Sequence, residues 1–365
     1  MEPATLTRIA RDRILVRLHE GGRSQWTSGE RWEAMLRSRF TFALTLTLAL
    51  LTCLSTVDAQ QAGKVARIGF LYFGSRQPGP GAERYAAFLD GLRELGYVEG
   101  KDVIVEARFA ESKPERLPAL VEELLRLKVD AIVATGSPVY RVLQRTTTTL
   151  PIVVTVTADP ILEGLATSVA RPGGNFTGFT DTAADLSLKQ LELLKGALSR
   201  LSRVGVLLNP DNVSHPAQVT RLVLAGQKMG VQVVLAEAGT VAQIEPGFAL
   251  LARERAHAVI LFGDTFFAQQ LRDIAGAALK HRLPSVFILR EYAEAGCLMS
   301  YGAPIIENFR RAATYVDKIV KGATPAQLPF EQPTKYGLVI NLKTARALGI
   351  TIPSPVLQRA DRVVE

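Results

Sequence analysis

The sequence predicts an α/β fold with two lobes, each built around a parallel sheet, joined by crossover segments that act as a hinge. Two observations lead to this prediction. From residue 65 onward, short β-branched or aliphatic runs alternate with segments of helical periodicity, which is typical of parallel sheets with buried strands. The same order of segments then recurs at an offset of about 130 residues, which indicates two lobes of similar topology.

The recurrence covers four pairs of segments. One such match would be chance, but four in the same order imply a repeated arrangement. The matched features are an apolar run led by arginine, a glycine that closes a helix, an apolar run that ends in glycine, and a Leu-Pro step into a strand. The pairs are Arg67–Leu71 with Arg203–Leu207, Gly96 with Gly230, Asp130–Gly136 with His257–Gly263, and Leu150–Val154 with Leu283–Phe287.

The first lobe is predicted to comprise residues 60–178 and about 300–328. Its apolar runs have strand length, and the segments between them have helical periodicity. We predict strands near 67–73, 102–109, 130–135 and 152–156, and helices near 82–96, 114–128 and 138–147.

The second lobe is predicted to comprise residues 179–299 and about 329–352, followed by a C-terminal tail at 353–365. A late helix and a proline-bounded segment would cross back between the lobes, so that each lobe is discontinuous and the join is a hinge. We predict strands near 204–208, 231–236, 257–262 and 285–288, helices near 186–200, 214–229, 241–254 and 266–281, the late helix near 306–321, and the proline-bounded segment at 328–352.

The amino-terminal part of the chain predicts export. Residues 35–59 begin at Met35, carry Arg37 and Arg39 near their start, continue with an apolar stretch and end in small residues, which is the pattern of a cleaved signal peptide. Cleavage after Ala59 would start the mature chain at Gln60. The protein is therefore expected in the periplasm or another extracytoplasmic compartment.

Two other interpretations of this stretch remain. A membrane anchor is one, although about 18 residues that include five threonines are marginal for spanning a bilayer. Lipid attachment at Cys53 is the other, although Thr52 is a poor match to a lipobox. Residues 1–34 show no core pattern and are interpreted as an upstream extension.

The charge and the metal-ligating residues exclude two classes of function. The formal net charge is +8, but lysines and arginines are interspersed with acidic residues, so we predict no nucleic-acid partner. The two cysteines, Cys53 and Cys297, and the four histidines show no metal-ligand spacing, so we predict no metal site.

The sequence contains no motif for a cofactor or for catalysis. Arg84 stands where a dinucleotide motif beginning at Gly79 needs its third glycine, and Gly96–Lys101 lacks the spacing of a phosphate-binding loop. No G-x-S-x-G motif is present. We therefore predict binding without turnover, with no catalytic residues and no cofactor.

Polar residues follow matching strands of the two lobes. Because open α/β sheets bind ligands beyond the carboxyl ends of their strands, these residues are expected to face a shared cleft. The first strands are followed by Phe73, Gly74 and Ser75 and by Asn209, the third strands by Gly136, Ser137 and Pro138 and by Asp264 and Thr265, and the fourth strands by Thr157 and Asp159 and by Arg290 and Glu291. Tyr301 is a further polar candidate, and Phe179, with Phe73 and Phe266, is a candidate apolar wall.

Two of these residues have a specific predicted role. Ser137, at a predicted helix N-cap before Pro138, would help the free N–H groups of that helix to hold a carboxylate. Asp264 would accept a hydrogen bond from a ligand ammonium group. Ordinary helix capping is the alternative explanation for both residues.

Four segments resemble one protein family: Gln60–Leu71, Ala170–Gly178, Glu294–Gly302 and Gln332–Lys343. In combination they resemble the ABC transporter substrate-binding proteins related to the tryptophan- and tyrosine-binding group, with similarity over about residues 62–364. The chain departs from the family pattern at Cys297, where a second glycine is usual, and in the Pro/Gly-rich loop Ser75–Gly81.

This resemblance implies a type I periplasmic binding protein fold, with two Rossmann-like lobes, three crossover segments and a small solute trapped by hinge closure. It also implies a monomeric, extracytoplasmic component of an ABC importer. Such a component passes a solute, such as an amino acid or an aromatic compound, to a membrane permease powered by a separate ATPase. The residues that the resemblance places at the cleft are Thr135–Pro138, Asp159, Asn209, Asp264, Arg290 and Glu291.

Two other functions use the same fold. A ligand-sensing receptor or regulator is one, and Thr5–Leu18 faintly resembles a DNA-binding head, but an apolar stretch separates that segment from the core. An enzyme on a doubly wound fold is the other. The lack of a nucleophile or cofactor motif disfavours an enzyme.

Amino-terminal sequencing of the exported protein tests the export signal. We expect a mature start at Gln60, because the small residues before it suit signal peptidase. A mature protein that retains Thr5–Leu18 would contradict the signal peptide and favour the regulator.

Overall fold

Two sheets with helices on their faces make up the part of the chain that the structure describes. The structure is a computed structural model, and it describes residues 65–77, 79–181 and 183–365. The two-lobed α/β architecture predicted from the sequence is confirmed. The predicted upstream extension at 1–34 and signal peptide at 35–59 lie outside the described residues.

The first sheet has five parallel strands. They are β1 (Ala66–Tyr72), β2 (Val103–Phe109), β3 (Ala131–Thr135), β4 (Ile152–Val154) and β5 (Phe176–Gly178). Their spatial order is β2-β1-β3-β4-β5, with Ile68 of β1 opposite Val105 of β2 and Ala131 of β3. All residues of β3 and β4 are buried, because helices cover both faces of a parallel sheet.

The second sheet has seven strands. They are β6 (Arg203–Leu208), β7 (Gln232–Glu237), β8 (Ala258–Leu261), β9 (Ser285–Phe287), β10 (Met299–Gly302), β11 (Gly337–Asn341) and β12 (Arg362–Val364). Their spatial order is β12-β11-β10-β9-β8-β6-β7. The strands pair in parallel except β10 and β11, which are antiparallel.

Helices connect the strands in both lobes. They are α1 (Pro80–Glu94), α2 (Leu117–Arg126), α3 (Ser137–Thr146), α4 (Ala183–Ala197), α5 (His215–Met229), α6 (Val241–Arg253), α7 (Thr265–Gln269), α8 (Leu271–Lys280), α9 (Arg290–Glu294), α10 (Ile305–Val320), α11 (Leu342–Leu348) and α12 (Ser354–Leu357), with short 3-10 turns at Pro114–Arg116 and Pro325–Gln327. Local signals explain several ends: Thr240 and Gln243 form a capping box at the start of α6, and Gly230 ends α5 in a left-handed conformation.

The chain passes between the lobes three times within the described residues: between β5 and α4, between β10 and α10, and between α10 and β11. Helix α10 belongs to the first lobe, where Phe309 and Val316 are buried in the core. The first and third passages pair with each other at Phe179 and Glu331. Glu331 N donates to the Gly178 carbonyl at 2.8 Å, and Thr180 N donates to the Glu331 carbonyl at 3.0 Å.

The carboxyl-terminal residues differ from the prediction. The tail predicted at 353–365 is wrong, because Val356 is buried in the core of the second lobe and β12 pairs with β11. The chain leaves the second sheet after Gly302. The helix predicted at 266–281 is two helices, since Gln270 has a non-helical backbone.

Strands β5, β10, β11 and β12 were not predicted. They have three to five residues each, and β10, Met-Ser-Tyr-Gly, lacks the β-branched run that marks a strand. No helix within the described residues has the length and apolar character needed to cross a membrane.

Gly91 lets α1 approach α10 closely, and its replacement by alanine is expected to destabilise the first lobe. A Cβ at this position would lie 2.1 Å from the Arg310 carbonyl oxygen, so the two helices would have to separate. We expect G91A to lower the free energy of unfolding by about 1–3 kcal/mol, measured by urea denaturation.

Gly276→Ala is the matched control, because Gly276 is exposed within α8 and a Cβ there would meet no atom within 4 Å. The control is expected to be neutral or to stabilise by up to about 1 kcal/mol, since alanine favours helix. Equal stability of the two variants would contradict the close packing of α1 on α10.

Candidate functional site

A cleft lies where the carboxyl ends of the two sheets face each other. The space between the lobes is about 680 Å³, including the part that is open to solvent. Apolar residues from both lobes and from α10 form much of its wall, among them Val156, Phe287, Ile288, Leu289, Ile305 and Phe309. Polar and charged residues also line it: Tyr72, Arg84, Thr135, Ser137, Glu163, Asp181, Asn212, Asp264, Thr265 and Gln269.

Asp264 is the central polar group on the second lobe's wall. Its carboxylate accepts hydrogen bonds from Asn212 Nδ2 at 2.8 Å and from Asn209 Nδ2 at 3.2 Å. It also accepts from Phe266 N at 2.8 Å and thereby caps α7. Asp264 therefore caps a helix and also faces the cleft, although the sequence presents these two roles as alternatives.

His215 holds the loops around Asp264 in place. The ring lies within hydrogen-bond distance of Asn209 N at 3.1 Å through Nδ1 and of the Gly263 carbonyl at 3.2 Å through Nε2. Burial lowers the pKa of His215, against the opposing effects of Asp264 and the two backbone contacts. A neutral ring with its proton on Nε2 satisfies both contacts, so His215 is a scaffold residue of this wall.

Glu163 is the main acidic group on the first lobe's wall. Its two carboxylate oxygens accept hydrogen bonds from Thr157 Oγ1 at 2.5 Å and from Ser137 Oγ at 3.0 Å. Among the residues that the structure describes, no lysine, arginine or histidine forms an ion pair with Glu163. The carboxylate therefore faces the cleft supported by hydroxyl groups and by the backbone at Ala158 and Asp159, without a cation among its described partners.

Burial raises the pKa of Glu163 above its usual range, and the hydrogen bonds from Thr157 and Ser137 only partly oppose this effect. A charged carboxylate with little water and no cation nearby is energetically costly. A positively charged group bound in the cleft would remove that cost.

Ser137 does not cap α3. The N-cap is Gly136, with φ of 108°, and Ser137 is the first residue of the helix. Because the Ser137 hydroxyl donates to Glu163, a ligand carboxylate at this position would meet an existing carboxylate. This arrangement disfavours the predicted role of Ser137 as the partner of a ligand carboxylate.

Arg84 is the cationic group among the described residues that line the cleft. The sequence analysis did not predict this role, because there Arg84 only interrupts a glycine motif. The residue is 6% exposed. Its guanidinium donates to the Tyr72 hydroxyl and lies 3.8 Å from Glu291 on the other lobe. Burial alone lowers the pKa of Arg84, but Tyr72 and Glu291 outweigh it and raise the pKa, so the group stays charged.

Helix α7 of the second lobe packs close to two glycines of the first lobe. A Cβ on Gly136 would lie 2.9 Å from Thr265 Cγ2, and one on Gly74 would lie 2.3 Å from Gln269 Oε1. Gln269 Nε2 also lies 3.4 Å from the Tyr72 hydroxyl. Two glycines at strand ends of the first lobe thus let α7 of the second lobe approach.

The predicted site residues fall into three groups. Those that line the cleft are Thr135, Ser137, Asp264 and Thr265. Those that contact lining residues without lining the cleft themselves are Gly74, Gly136, Thr157, Asp159, Asn209 and Glu291. The remaining residues are Phe73, Ser75, Pro138, Phe179, Arg290 and Tyr301.

Several residues that do not line the cleft have other roles in the fold. Phe73 and Phe179 are buried in the core of the first lobe, where Phe179 packs on Tyr315 at 5.1 Å between ring centroids. Asp159 accepts hydrogen bonds from two backbone N–H groups in its own turn. Tyr301 stacks on Tyr336 at 5.9 Å, away from the cleft.

Within the described part of the chain, no group of three His, Cys, Asp or Glu side chains is placed to hold a metal ion. Cys297 is buried in the core of the second lobe, where burial raises the pKa of its thiol to about 12. Its thiol is therefore protonated and packs as an apolar group.

Comparison with known proteins identifies the family. The family model described as ABC transporter substrate binding protein matches residues 79–364. A curated relative, the tyrosine-binding protein of Clostridioides difficile (strain R20291), is 22% identical over 262 residues, which cover 72% of this chain and 75% of the relative.

Two solved structures are similar over most of the chain. A conserved domain protein from Vibrio cholerae O1 biovar El Tor is 28% identical, with a TM-score of 0.77, over 82% of this chain and 100% of its own. The ABC domain from Streptococcus pneumonia in complex with L-Trp is 25% identical, with a TM-score of 0.75, over the same shares.

Replacing Glu163 by glutamine is expected to leave the ligand-free protein at least as stable as the wild type at about pH 7.5. A raised pKa means that the folded state binds the proton more tightly than the unfolded state. The wild type therefore loses stability as the pH rises from the ordinary glutamate pKa through the raised one. We expect the advantage of E163Q over the wild type to grow from about pH 4.5 to about pH 7.5 in urea denaturation.

Glu122→Gln on the exposed surface of α2 is the control and should show no such pH-dependent difference. A marked loss of stability in E163Q at about pH 7.5 would mean that the charged carboxylate stabilises the fold.

Proposed function

The chain belongs to the ABC transporter substrate-binding protein family, and we propose that it captures an amino acid between its two lobes outside the cytoplasm and delivers it to a membrane permease. The observation that carries this proposal is the Glu163 carboxylate, which faces the cleft and has hydroxyl and backbone groups, but no cation, as described partners. The ammonium group of an amino acid supplies the missing positive charge.

The wall of the second lobe supports the same solute class. Asp264, held by two asparagines and the start of α7, presents a second carboxylate to the cleft. Among the described lining residues, Arg84 is the one basic side chain, so acidic groups outnumber basic ones. The cleft therefore favours a ligand that carries at least one amine.

The apolar wall favours an amino acid with a large apolar or aromatic side chain. Phe287, Ile288, Leu289, Ile305 and Phe309 offer such a side chain a surface away from water. The relatives support this assignment, since one is called a tyrosine-binding protein and another was solved with L-Trp. We take aromatic amino acids as the first compounds to test.

Closure of the lobes is the proposed capture step. A solute that contacts Glu163 on one lobe and Asp264 on the other stabilises the closed arrangement over the open one, so binding shifts the population towards closure. The three passages between the lobes are the proposed hinge. Because one chain supplies both walls, a monomer suffices.

We infer that the protein binds its solute without chemical turnover. Among the described residues that line the cleft there is no histidine or cysteine. The Ser137 hydroxyl donates to a carboxylate rather than to an imidazole, so it lacks the base that usually activates a serine nucleophile. The partner is a permease of the membrane, as the family implies.

Isothermal titration calorimetry with L-tyrosine, L-tryptophan and 3-(4-hydroxyphenyl)propanoate, which is tyrosine without its amine, tests the proposal. We expect the protein to bind an aromatic amino acid and to bind the deaminated compound at least tenfold more weakly. E163Q should lose at least tenfold in affinity for the amino acid, since a charge-assisted hydrogen bond contributes about 1.5–3 kcal/mol.

The exposed variant E122Q should bind as the wild type does. Equal affinity of the wild type for L-tyrosine and its deaminated analogue would contradict the role of Glu163. Failure to bind any amino acid would overturn the solute class.

A further inference from the structure

We propose that Arg84 recognises the far end of the bound amino acid and selects a side chain that ends in a neutral hydrogen-bond acceptor, as the hydroxyphenyl group of tyrosine does. This inference rests on the proposed function, because it assumes that an amino acid occupies the cleft. It assigns a specificity role to a residue on α1, outside the strand ends where the sequence places the site.

Arg84 projects into an aromatic part of the cleft. Its guanidinium carbon lies 5.9 Å from the ring centroid of Tyr72 and 5.9 Å from that of Phe309. Ile305 and Leu289 line the same cleft as these two rings. A flat ring inserted here would pack against apolar and aromatic surfaces while its edge reaches the guanidinium.

The guanidinium has N–H donors that could bind an acceptor atom on such a ring. An arginine side chain carries five N–H donors, and within the described residues Arg84 donates one hydrogen bond, to the Tyr72 hydroxyl. Glu291 lies 3.8 Å away, which is beyond hydrogen-bond distance. A ligand acceptor at this position would therefore engage a buried donor rather than compete with a strong existing bond.

The strand order separates Arg84 from the acidic group that meets the ammonium. Arg84 contacts Tyr72 at the end of β1, whereas Glu163 is held by Thr157, which follows β4. Strand β3 lies between β1 and β4, so the ends of those two strands are two strand spacings, about 10 Å, apart along the sheet edge. A ligand whose ammonium group meets Glu163 can extend along this edge, and its far end then lies on the side of Arg84.

The local charge favours a neutral acceptor at that end. Glu291 on the opposite lobe lies 3.8 Å from Arg84, so an acidic group already faces the charge of the guanidinium. A ligand carboxylate here would approach Glu291, and a ligand ammonium would approach Arg84, so both are disfavoured. A phenolic hydroxyl accepts from the guanidinium without adding charge.

Calorimetry on the wild type with L-tyrosine, L-phenylalanine and L-glutamate is the first test. We expect L-tyrosine to bind at least tenfold more tightly than L-phenylalanine, because phenylalanine gives the buried guanidinium no acceptor. L-Glutamate is expected to bind more weakly than L-tyrosine. This comparison needs no variant, so it holds even where a substitution impairs folding.

Arg84→Met and Arg84→Lys, each checked by thermal unfolding, are the second test. In R84M the affinities for L-tyrosine and L-phenylalanine should become equal, while R84K should keep part of the preference. Arg93→Met is the matched control, because Arg93 lies on the same helix, is exposed and pairs with Asp90. R93M should keep the wild-type preference.

The outcomes separate this inference from the proposed function. Equal binding of L-tyrosine and L-phenylalanine by the wild type, tighter binding of L-glutamate, or a preference that persists in R84M would overturn the role of Arg84 and leave amino-acid capture intact. Failure of every amino acid to bind would overturn the proposed function and this inference with it.

Discussion

The pairing of two chain passages at Phe179 and Glu331 is the constraint on which the arrangement of the lobes depends. The backbone hydrogen bonds of Glu331 to Gly178 and Thr180 tie the first passage to the third, at the point where β5 ends. This tie lies just beyond the carboxyl end of β5, two residues before Asp181, which lines the cleft. It therefore holds the passages together beside the cleft.

The two walls of the cleft differ. The wall of the second lobe is held by many hydrogen bonds, whereas the wall of the first lobe carries a carboxylate whose charge is energetically costly to bury. On the second lobe, Asp264 has four described donors, and His215 fixes the two loops around it. On the first lobe, Glu163 has two hydroxyl donors and a raised pKa. A protein selected for stability alone would favour a neutral group there, so the charged wall is best understood as half of an interaction that the solute completes.

The sequence predicted most of the fold but only part of the site. Buried strands such as β3 and β8 were predictable because both faces are covered and their residues are uniformly apolar. Asp264 was predictable because it directly follows such a strand. Glu163 was not, since it lies beyond a turn that Asp159 stabilises and returns to the sheet edge only in three dimensions. The role of Arg84 was not predictable either, because the sequence pattern does not distinguish a buried arginine on a helix from an exposed one.

Small-angle X-ray scattering of the protein with and without saturating L-tyrosine tests most directly whether a solute joins the two lobes. If the ligand bridges Glu163 and Asp264, closure about the passages lowers the radius of gyration and narrows the distance distribution. Saturation confirmed by calorimetry with an unchanged radius of gyration would contradict the account, because the solute would then bind without joining the lobes.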